Sequence, residues 1–493
     1  MAHRLIQDLG QLAVLLIFAS SPASGETILP YDVISYSLSV RIDFEKSPEA
    51  GLSYRHLYSP LNKMEGEATI TLRNATSEPL HEISLIFNRL LSPGEILVND
   101  EVLEFHSVLS RLKGREAQQV LHVTAVLQQP LQAGDDTKLL VRYGGQLVGY
   151  PESGMLYVRE TLDPDFTILR SETFCYPLAA FPTLDSTMTS VRTDVFDQEL
   201  KVMVPTGHVA VNGGRYLGVE EEDGKSTYTY ASHEPESTIL ISIAPYRLIT
   251  VGSHRIYHFK DSADGAKKLT RLLEQAMELL KSWLGPPPLE SGLVIAEIPE
   301  FFGSQAGPLI IQTSGAFRNP EQYGEFYHEL SHLWNPKDID PKPSRWNEGL
   351  AMFLQILVET RLSESADLDT GLQKTFEHLK KRLSANDDLI AMAMIEYGKN
   401  EVTGLSYLMG QLLFGVLREM VGENALLDFL ARYSLEHQKS GSRDVDFEAE
   451  LVEALGEDTA IVMDQWFLKS GSAKKILEAE SWEDLRGQYT SRQ

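Results

Sequence analysis

Two histidines and one glutamate in the middle of the chain have the types and the spacing that metal-dependent hydrolysis needs. They form an H-E-x-x-H pattern, His328-Glu329-Leu330-Ser331-His332. On an α-helix, residues four apart lie on one face, one turn above the other, so His328 and His332 can present two imidazole nitrogens to one zinc ion. Glu329 projects beside them, where a carboxylate can act as a general base towards a water molecule on the metal.

A catalytic zinc site also needs a third protein ligand and one open position. Glu348 fits the first requirement, because the segment W-N-E-G-L-A at 346–351 begins the next helical pattern and places Glu348 in the first turn of a helix. From these residues alone other interpretations stay open. Two histidines on a helix can be hydrogen-bonded core residues, and a carboxylate at a helix N-terminus is favoured by the helix dipole without any metal. Taken together, the two motifs predict one Zn2+ ion held by His328, His332 and Glu348.

The elements that must position these residues belong to a predominantly helical second half of the chain. The hydrophobic period changes near residue 262, and apolar residues over Leu269–Trp283 mark one face of a helix. Gly285 and the three prolines after it are expected to end that helix. A buried strand is predicted at 293–298 and another apolar run at 309–312, and the rest of the chain has helical periodicity.

The first half alternates apolar and polar residues with a period of two. Short runs of this kind, separated by Gly, Pro, Asn and Asp, indicate half-buried antiparallel strands. The alternating residues include Ile34, Tyr36, Leu38, Val40 and Ile42, then Ala68, Ile70 and Leu72, then Ile83, Leu85 and Phe87, and later Leu200, Val202 and Val204. We therefore predict an α+β protein, with an N-terminal antiparallel β domain over 26–250 and a mainly helical catalytic domain over 251–493.

Length, charge and cysteine content limit the class of protein. The chain has 493 residues, which favours more than one domain, and its 43% apolar and 23% charged content is that of a globular protein. The formal net charge of -26 argues against a nucleic-acid partner, because phosphate binding needs a basic surface. The single cysteine, Cys175, excludes an internal disulfide and is interpreted as a small buried hydrophobe.

The first 25 residues have the features of a secretory signal peptide. The apolar run Leu12–Ala19 is too short to span a bilayer, and Ala23-Ser24-Gly25 offers small residues at the cleavage position. Cleavage near Gly25 would export the mature chain, to the periplasm or the medium. A buried N-terminal helix and an uncleaved anchor are the alternative interpretations. No later segment reaches membrane-span length, so no integral membrane span is expected in the mature chain.

The H-E-x-x-H pattern with W-N-E-G downstream resembles the gluzincin metallopeptidases. The M1 aminopeptidase family, which includes aminopeptidase N and leukotriene A4 hydrolase, is the nearest in pattern, and the likeness covers most of residues 30–475. The segment Ser406-Tyr407-Leu408-Met409-Gly410 is similar to that family's Tyr-x-x-Gly segment. The run H-L-W-N at 332–335 also resembles the glycyl aminopeptidase family M61. The resemblance implies a leading β domain followed by a thermolysin-like catalytic domain, without the long C-terminal helical domain of the family.

The resemblance also implies a role for each site residue. His328, His332 and Glu348 would hold zinc, and Glu329 would polarise the water that attacks the scissile carbonyl. Tyr407 would donate a hydrogen bond to the oxyanion, although a tyrosine in this sequence context is by itself typical of a packed core. The run at 309–312 would be the edge strand that pairs with an extended peptide substrate.

Two departures from the family pattern affect this interpretation. The connection between His332 and Glu348 is shorter than in the family. The segment G-S-Q-A-G at 303–307 stands where the family has Gly-x-Met-Glu-Asn, so Gln305 replaces the glutamate that binds the substrate's α-amino group. An amide offers no negative charge to an ammonium group, so we expect weaker selectivity for N-termini unless Glu297 or Glu300 supplies the charge. Gln305 is equally well an ordinary loop residue.

These observations predict an exported zinc metallopeptidase that hydrolyses peptides or proteins in an aminopeptidase-like way. The main alternative is a zinc-containing protein that binds peptides without cleaving them. Glu329 weighs against that alternative, because a pure binding site has no use for a general base. A third interpretation is a hydrolase of non-peptide substrates on the same scaffold, since a fold alone does not determine the substrate.

Overall fold

The structure is a computed structural model that describes residues 29–44, 62–147, 149–150, 162–287, 289, 292–299, 304–340 and 342–490. The predicted signal peptide, residues 1–25, lies outside the described residues. The chain divides into two compact units, the first formed by 1–261, 291–301 and 306–309, and the second by 262–290, 302–305 and 310–493. Two short segments, 291–301 and 306–309, belong to the first unit, whereas the predicted division into 26–250 and 251–493 places them in the second.

The first unit is built almost entirely from strands, with one helix, α1 (Leu184–Arg192), among its described residues. Its strands are β1 (Tyr31–Phe44), β2 (Asn62–Asn74), β3 (Leu80–Asn88), β4 (Leu91–Val98), β5 (Glu101–Val102), β6 (Phe105–Leu112), β7 (Arg115–Leu131), β8 (Asp136–Gly145), β9 (Thr167–Arg170), β10 (Leu178–Ala179), β11 (Asp197–Pro205), β12 (Val209–Val211), β13 (Arg215–Glu222), β14 (Lys225–Ala231), β15 (Leu240–Ala244), β16 (Arg247–Val251), β17 (His254–His258) and β18 (Val294–Ile298). A large sheet has the order β13-β14-β11-β1-β2-β8-β4-β5, and smaller sheets have the orders β10-β3-β7-β6 and β12-β15-β9.

The expected alternation is present in β2 and β11, whereas β3 is buried on both faces from Ile83 to Asn88. In β2, Ala68, Ile70 and Leu72 are fully buried, as the period of two predicts. In β1 a bulge between Val33 and Ser35 shifts the register, so Val33 faces the core and Ile34 is only half-buried. Most strands of the predicted N-terminal domain pair in antiparallel fashion as expected, and among the described strand pairs of that domain the exception is β1, which pairs with β11 in parallel.

The single cysteine and the search for membrane spans give two further observations. Cys175 is buried in the first unit, and burial raises the pKa of its thiol to about 12, in agreement with a small hydrophobe rather than a nucleophile. Among the described residues, no helix combines the length and the hydropathy that crossing a bilayer requires.

The second unit is mainly helical. Two short strands, β19 (Ser304–Ala306) and β20 (Leu309–Thr313), precede most of it in the chain. Its helices are α2 (Ala263–Leu284), α3 (Ser314–Arg318), α4 (Tyr323–Ser331), α5 (Trp346–Leu362), α6 (Leu368–Ser384), α7 (Asp387–Ile390), α8 (Ser406–Val421), α9 (Glu423–His437), α10 (Asp444–Leu455), α11 (Glu457–Met463), α12 (Gly471–Glu478) and α13 (Trp482–Thr490). The predicted end of α2 is confirmed, since Gly285 follows its last residue with a φ of 80° that suits glycine.

Two glycines let α5 and α8 approach each other closely. A Cβ atom added to Gly349 would lie 2.4 Å from the Cα of Gly410, and one added to Gly410 would lie 2.7 Å from the Cα of Gly349. No side chain fits at either distance, so the two backbones touch only because both residues lack a Cβ. Glu348 immediately precedes the first glycine and Tyr407 lies three residues before the second, so this contact brings the two side chains to the same place.

Candidate metal centre

Four elements of the second unit carry the predicted site residues. Helix α4 holds His328 and Glu329, both buried, and Glu348 lies buried in the first turn of α5, as predicted. Tyr407 lies in the first turn of α8. The helix ends one residue before the end of the H-E-x-x-H motif, because α4 ends at Ser331 and His332 begins a 3-10 turn that reaches Trp334. His332 still has a right-handed helical backbone, so its side chain stays on the face of His328.

The imidazole cluster (His328, His332 and Glu348) has the dimensions of a metal site. The Nε2 atoms of the two histidines lie 3.2 Å apart, and Oε2 of Glu348 lies 3.2 Å from one and 3.3 Å from the other. Three ligands at about 2.0–2.1 Å from a tetrahedral zinc ion would be about 3.3–3.4 Å apart, so the triangle has nearly the size that zinc requires. The chemistry of the set, two imidazoles and a carboxylate, also suits zinc. These three side chains can hold one metal ion.

Asn335 contacts the ring of His332 on the side away from the cluster. Its amide nitrogen lies 2.9 Å from Nδ1 of His332 and donates to the carbonyl of Asn347 at 3.1 Å, while its buried Oδ1 has no hydrogen-bond partner. A metal at Nε2 of His332 requires the ring proton on Nδ1. With its amide oxygen and nitrogen exchanged, Asn335 would accept that proton through Oδ1 at the cost of its hydrogen bond to Asn347, and outer partners of this kind fix the tautomer of a metal-binding histidine.

Burial governs the charge of Glu329. Removal from water raises the pKa of its carboxyl to about 8, and the nearby carboxylate of Glu348 adds to that effect while His328 opposes it. A cation bound beside Glu329 would favour its charged form, which can take a proton from water and return it later in the same reaction. The buried position of Glu329 beside two candidate ligands is therefore what a general base needs.

The surroundings of Glu348, the third candidate ligand, lower the pKa of its carboxyl, in contrast to those of Glu329. Burial by itself would raise the pKa of Glu348, but the guanidinium of Arg345, followed by His332, holds that pKa well below its usual range. Arg345 forms an ion pair with Oε1 of Glu348, the oxygen that does not face the histidines. Glu348 is thus fixed as a carboxylate, the form that binds a metal.

Tyr407 is the fifth predicted site residue that the fold brings to the cluster. Its ring stacks on the imidazole of His328, with centroids 5.8 Å apart and planes 13° apart. Burial raises the pKa of its phenol well above the usual range, and Glu348 raises it further. Tyr407 therefore stays protonated at all ordinary pH values and is available as a hydrogen-bond donor.

The connection between α4 and α5 is held by residues that the sequence analysis missed. Asp444, at the start of α10, accepts hydrogen bonds from the backbone N–H of Ser344 at 2.7 Å and from its hydroxyl at 2.9 Å. The hydroxyl of Ser406 donates to the carbonyl of Ser344. Trp346 stacks on Phe447 of α10 with ring centroids 3.7 Å apart. These contacts fix the backbone just before Glu348 from two other helices.

A group of three acidic residues joins the same connection to the start of α10. The aspartate cluster (Asp338, Asp340 and Asp444) also has oxygen atoms within 4.8 Å of one another. Its oxygens accept bonds from the main chain, since the N–H of Asp444 donates to Asp340 at 2.7 Å and the N–H of Asp340 donates to Asp338 at 3.1 Å. The arrangement is that of a backbone clasp.

The predicted substrate-binding residues are not brought to the cluster by anything the structure describes. Gln305 lies in β19, but its side chain is outside the described residues, as is all of Glu300. Glu297 is buried in β18, and its carboxylate accepts a hydrogen bond of 2.7 Å from the backbone N–H of Phe259. The carboxylate of Glu297 is thus engaged in holding the backbone.

Comparison with known proteins identifies the fold. The structure matches an alanine variant of an M1 zinc metallopeptidase from Deinococcus radiodurans bound to a Tyr-Ser-Ala substrate, with a TM-score of 0.63 and 18% identity over 89% of this chain and 94% of that one. It matches yeast leukotriene A4 hydrolase in complex with bestatin with a TM-score of 0.65 and 13% identity over 92% of this chain and 71% of that one. Neither a family model nor a curated protein matches the sequence. The likeness to the M61 family stays a prediction, and the chain has the fold of the M1 zinc metallopeptidases.

Proposed function

We propose that this chain is an exported zinc metallopeptidase that hydrolyses peptide bonds in an aminopeptidase-like way. The observation that carries the proposal is the triangle of two imidazole nitrogens and one carboxylate oxygen, 3.2–3.3 Å on each side, with the buried carboxyl of Glu329 next to it. A structural zinc site closes with a fourth protein ligand, whereas the part of the chain that the structure describes offers this site three ligands and a potential base. The match to M1 peptidases supports the same conclusion at the level of the fold.

The roles of the residues follow from where they lie. His328, His332 and Glu348 would hold zinc, which when bound supplies Lewis-acid polarisation and lowers the pKa of water. Glu329 takes the proton from the attacking water and passes it to the nitrogen of the departing amine. Tyr407, kept protonated by burial, donates a hydrogen bond to the carbonyl oxygen as negative charge develops on it.

The substrates we propose are peptides, read near their N-termini. The related structures were solved with the tripeptide Tyr-Ser-Ala and with bestatin. The prediction that 309–312 is an edge strand is wrong, because β20 has a hydrogen-bonded strand on each side and β19 forms the edge of the sheet. An extended substrate would therefore pair with β19. Gln305 would contact the substrate's amino group with an uncharged amide, so selectivity for a free N-terminus is expected to be weak.

Replacing the proposed base tests the function. We expect the wild type to bind one zinc ion and to cleave peptides, and Glu329→Gln to keep the zinc but lose about 10²–10⁴-fold in kcat. Glu359→Gln is the matched control, because Glu359 is a partly buried helical glutamate that bonds to Gln355 in α5 and lies outside the cluster. If the wild type and Glu329→Gln both bind zinc and neither cleaves any member of a peptide library, the chain is a peptide-binding protein instead. Absence of bound zinc in the wild type would contradict the proposal.

Export depends on residues 1–25 and has its own test. We expect the mature protein from its natural source to begin near Glu26, as read by N-terminal sequencing. A mature chain that begins at Met1 would contradict export through a cleaved signal peptide.

A further inference from the structure

Arg345 contacts two of the proposed site residues and has no role in the mechanism described above. Its guanidinium pairs with Oε1 of Glu348 and lies over the ring of Tyr407, 5.9 Å from the ring centroid. It occupies the N-cap position of α5 with a φ of 61° and a ψ of 40°. The side chain is one-third exposed, while the carboxylate that it contacts is buried.

The position of Arg345 conflicts with two general preferences. A left-handed backbone is unfavourable for a residue with a Cβ atom, and such residues persist only where their surroundings determine the conformation. A positive charge at the N-terminus of a helix is repelled by the helix dipole. The capping interaction is also missing, since the side chain of Arg345 accepts no hydrogen bond from the backbone N–H groups at the start of α5. Residues that break local preferences in this way are expected at functional positions.

The backbone around Arg345 is held from both neighbouring helices. Ser344 is fully buried, with its N–H and hydroxyl on Asp444 and its carbonyl on Ser406. Trp346 is fixed on the other side by its stack on Phe447. The left-handed turn between these two anchored residues aims the guanidinium back at Glu348, three residues further along the chain. The surroundings thus determine where the positive charge lies.

We propose that Arg345 is a positioning residue that restricts Glu348 to binding the metal through one oxygen, an inference that rests on the proposed function. Oε2 of Glu348 faces both histidines, whereas Oε1 is engaged by Arg345. A carboxylate with both oxygens available can bind a metal through both, which would add a fifth ligand and crowd the position that the attacking water needs. By engaging Oε1, Arg345 keeps that position open.

The inference predicts that removal of Arg345 separates metal binding from turnover. Arg345→Met retains much of the length of the side chain without the charge, so Glu348 becomes able to offer both oxygens. We expect the variant to keep one zinc ion per chain and to lose about 10–100-fold in kcat, the range typical of an outer partner of a metal site, with a smaller change in KM. Arg345→Lys keeps the charge but not the fork of donors and is expected to lose less.

Cobalt substitution reads the number of ligands independently of activity. Four-coordinate Co²⁺ absorbs visible light more strongly than five-coordinate Co²⁺, so the wild type is expected to give the stronger bands and Arg345→Met weaker ones. Arg361→Met is the matched control, because Arg361 lies on the same helix and pairs with Glu423. We expect the control to have the spectrum and the kcat of the wild type.

The outcomes distinguish this inference from the proposed function. A wild type that binds no metal or cleaves nothing removes the proposed function. A wild type that does both, with Arg345→Met unchanged in cobalt spectrum and kcat, overturns the role of Arg345 alone. Loss of metal from both folded Arg345 variants also overturns it, because Arg345 would then help Glu348 to bind and would not limit it to one oxygen. If Arg345→Met does not fold, the spectrum and kcat of Arg345→Lys decide, and values equal to those of the control overturn the inference.

Discussion

Two clusters of side chains that could bind a metal, the imidazole cluster and the aspartate cluster, are alike in their distances and differ in chemistry. The imidazole cluster and the aspartate cluster each bring three ligand atoms within 4.8 Å of one another. In the first, the three atoms face each other at the spacing of a zinc tetrahedron. In the second, the oxygens accept hydrogen bonds from the backbone N–H groups of Asp340, Ser344 and Asp444. The ligand atoms are close together in both clusters. What separates a candidate metal centre from a clasp is whether those atoms face one another or face backbone N–H groups.

The two clusters also differ in how their charge is balanced. Glu348 is paired with Arg345 and two imidazoles, which hold its pKa down. Asp444 has a second carboxylate, Asp340, beside it and is buried, which raises its pKa to about 6. The environment of Glu348 thus favours its charged form, whereas the environment of Asp444 disfavours the charged form.

The largest expected effect comes from removing one ligand from each cluster. His328→Ala should lose zinc from the purified protein and with it all detectable cleavage, because a missing ligand costs more than the 10–100-fold of an outer partner. Asp340→Asn should keep one zinc ion per chain and its activity. Metal analysis after dialysis against a weak chelator measures the difference. Equal loss of zinc from both variants would mean that the two clusters do not differ as described.

The next effect concerns a tyrosine beside each cluster. Tyr407→Phe should lower kcat about 10²–10³-fold, or about 3–4 kcal/mol, while zinc content stays the same, because it removes one donor to the developing oxyanion. Tyr433→Phe is the matched change near the other cluster, where the phenol bonds to Ser442. It should leave kcat unchanged and lower the free energy of unfolding by about 1 kcal/mol. Similar kcat values for the two variants would remove Tyr407 from the mechanism.

The smallest expected effect is on pH-dependent stability. Burial is the main cause that raises the pKa of Asp444 to about 6, Asp340 adds to it and Lys399 opposes it, whereas an unfolded aspartate titrates at about 3.9. The folded state therefore binds the proton more tightly, so the free energy of unfolding should rise by about 1–2 kcal/mol as the pH falls from above 6 to about 4. Asp444→Asn should lack this component, which denaturation curves at pH 7 and pH 5 would measure. Parallel pH profiles for the two proteins would contradict the assignment.

Much of the helical part of the site could be predicted from the sequence. His328, Glu329 and Glu348 lie on the elements that the H-E-x-x-H and W-N-E-G patterns predict, because residues four apart on a helix share a face. The end of α4 before His332 could not be predicted, since a 3-10 turn keeps almost the same backbone angles and leaves no distinct pattern. The contact between Asp444 and Ser344 was missed because the two residues lie a hundred positions apart in the chain.

Period-two patterning predicted the strands but not their exact faces. Ala68, Ile70 and Leu72 are buried as expected. The bulge in β1 reverses the faces of Val33 and Ile34, and one extra residue in a strand has no signature in an alternating pattern. Arg345 did leave a signal that the sequence analysis did not use, namely a cation at the start of a helix, where an anion or a capping side chain is normal.

The contact between Gly349 and Gly410 means that the two sequence motifs depend on one and the same helix–helix contact. The glycine of W-N-E-G and the glycine of the Tyr-x-x-Gly segment occupy each other's missing side-chain space. Substitution of either glycine by alanine would separate a candidate metal ligand from a candidate oxyanion donor without altering those two side chains. A search for distant chains with this chemistry can therefore require both glycines jointly, which is a more selective filter than the five-residue zinc pattern.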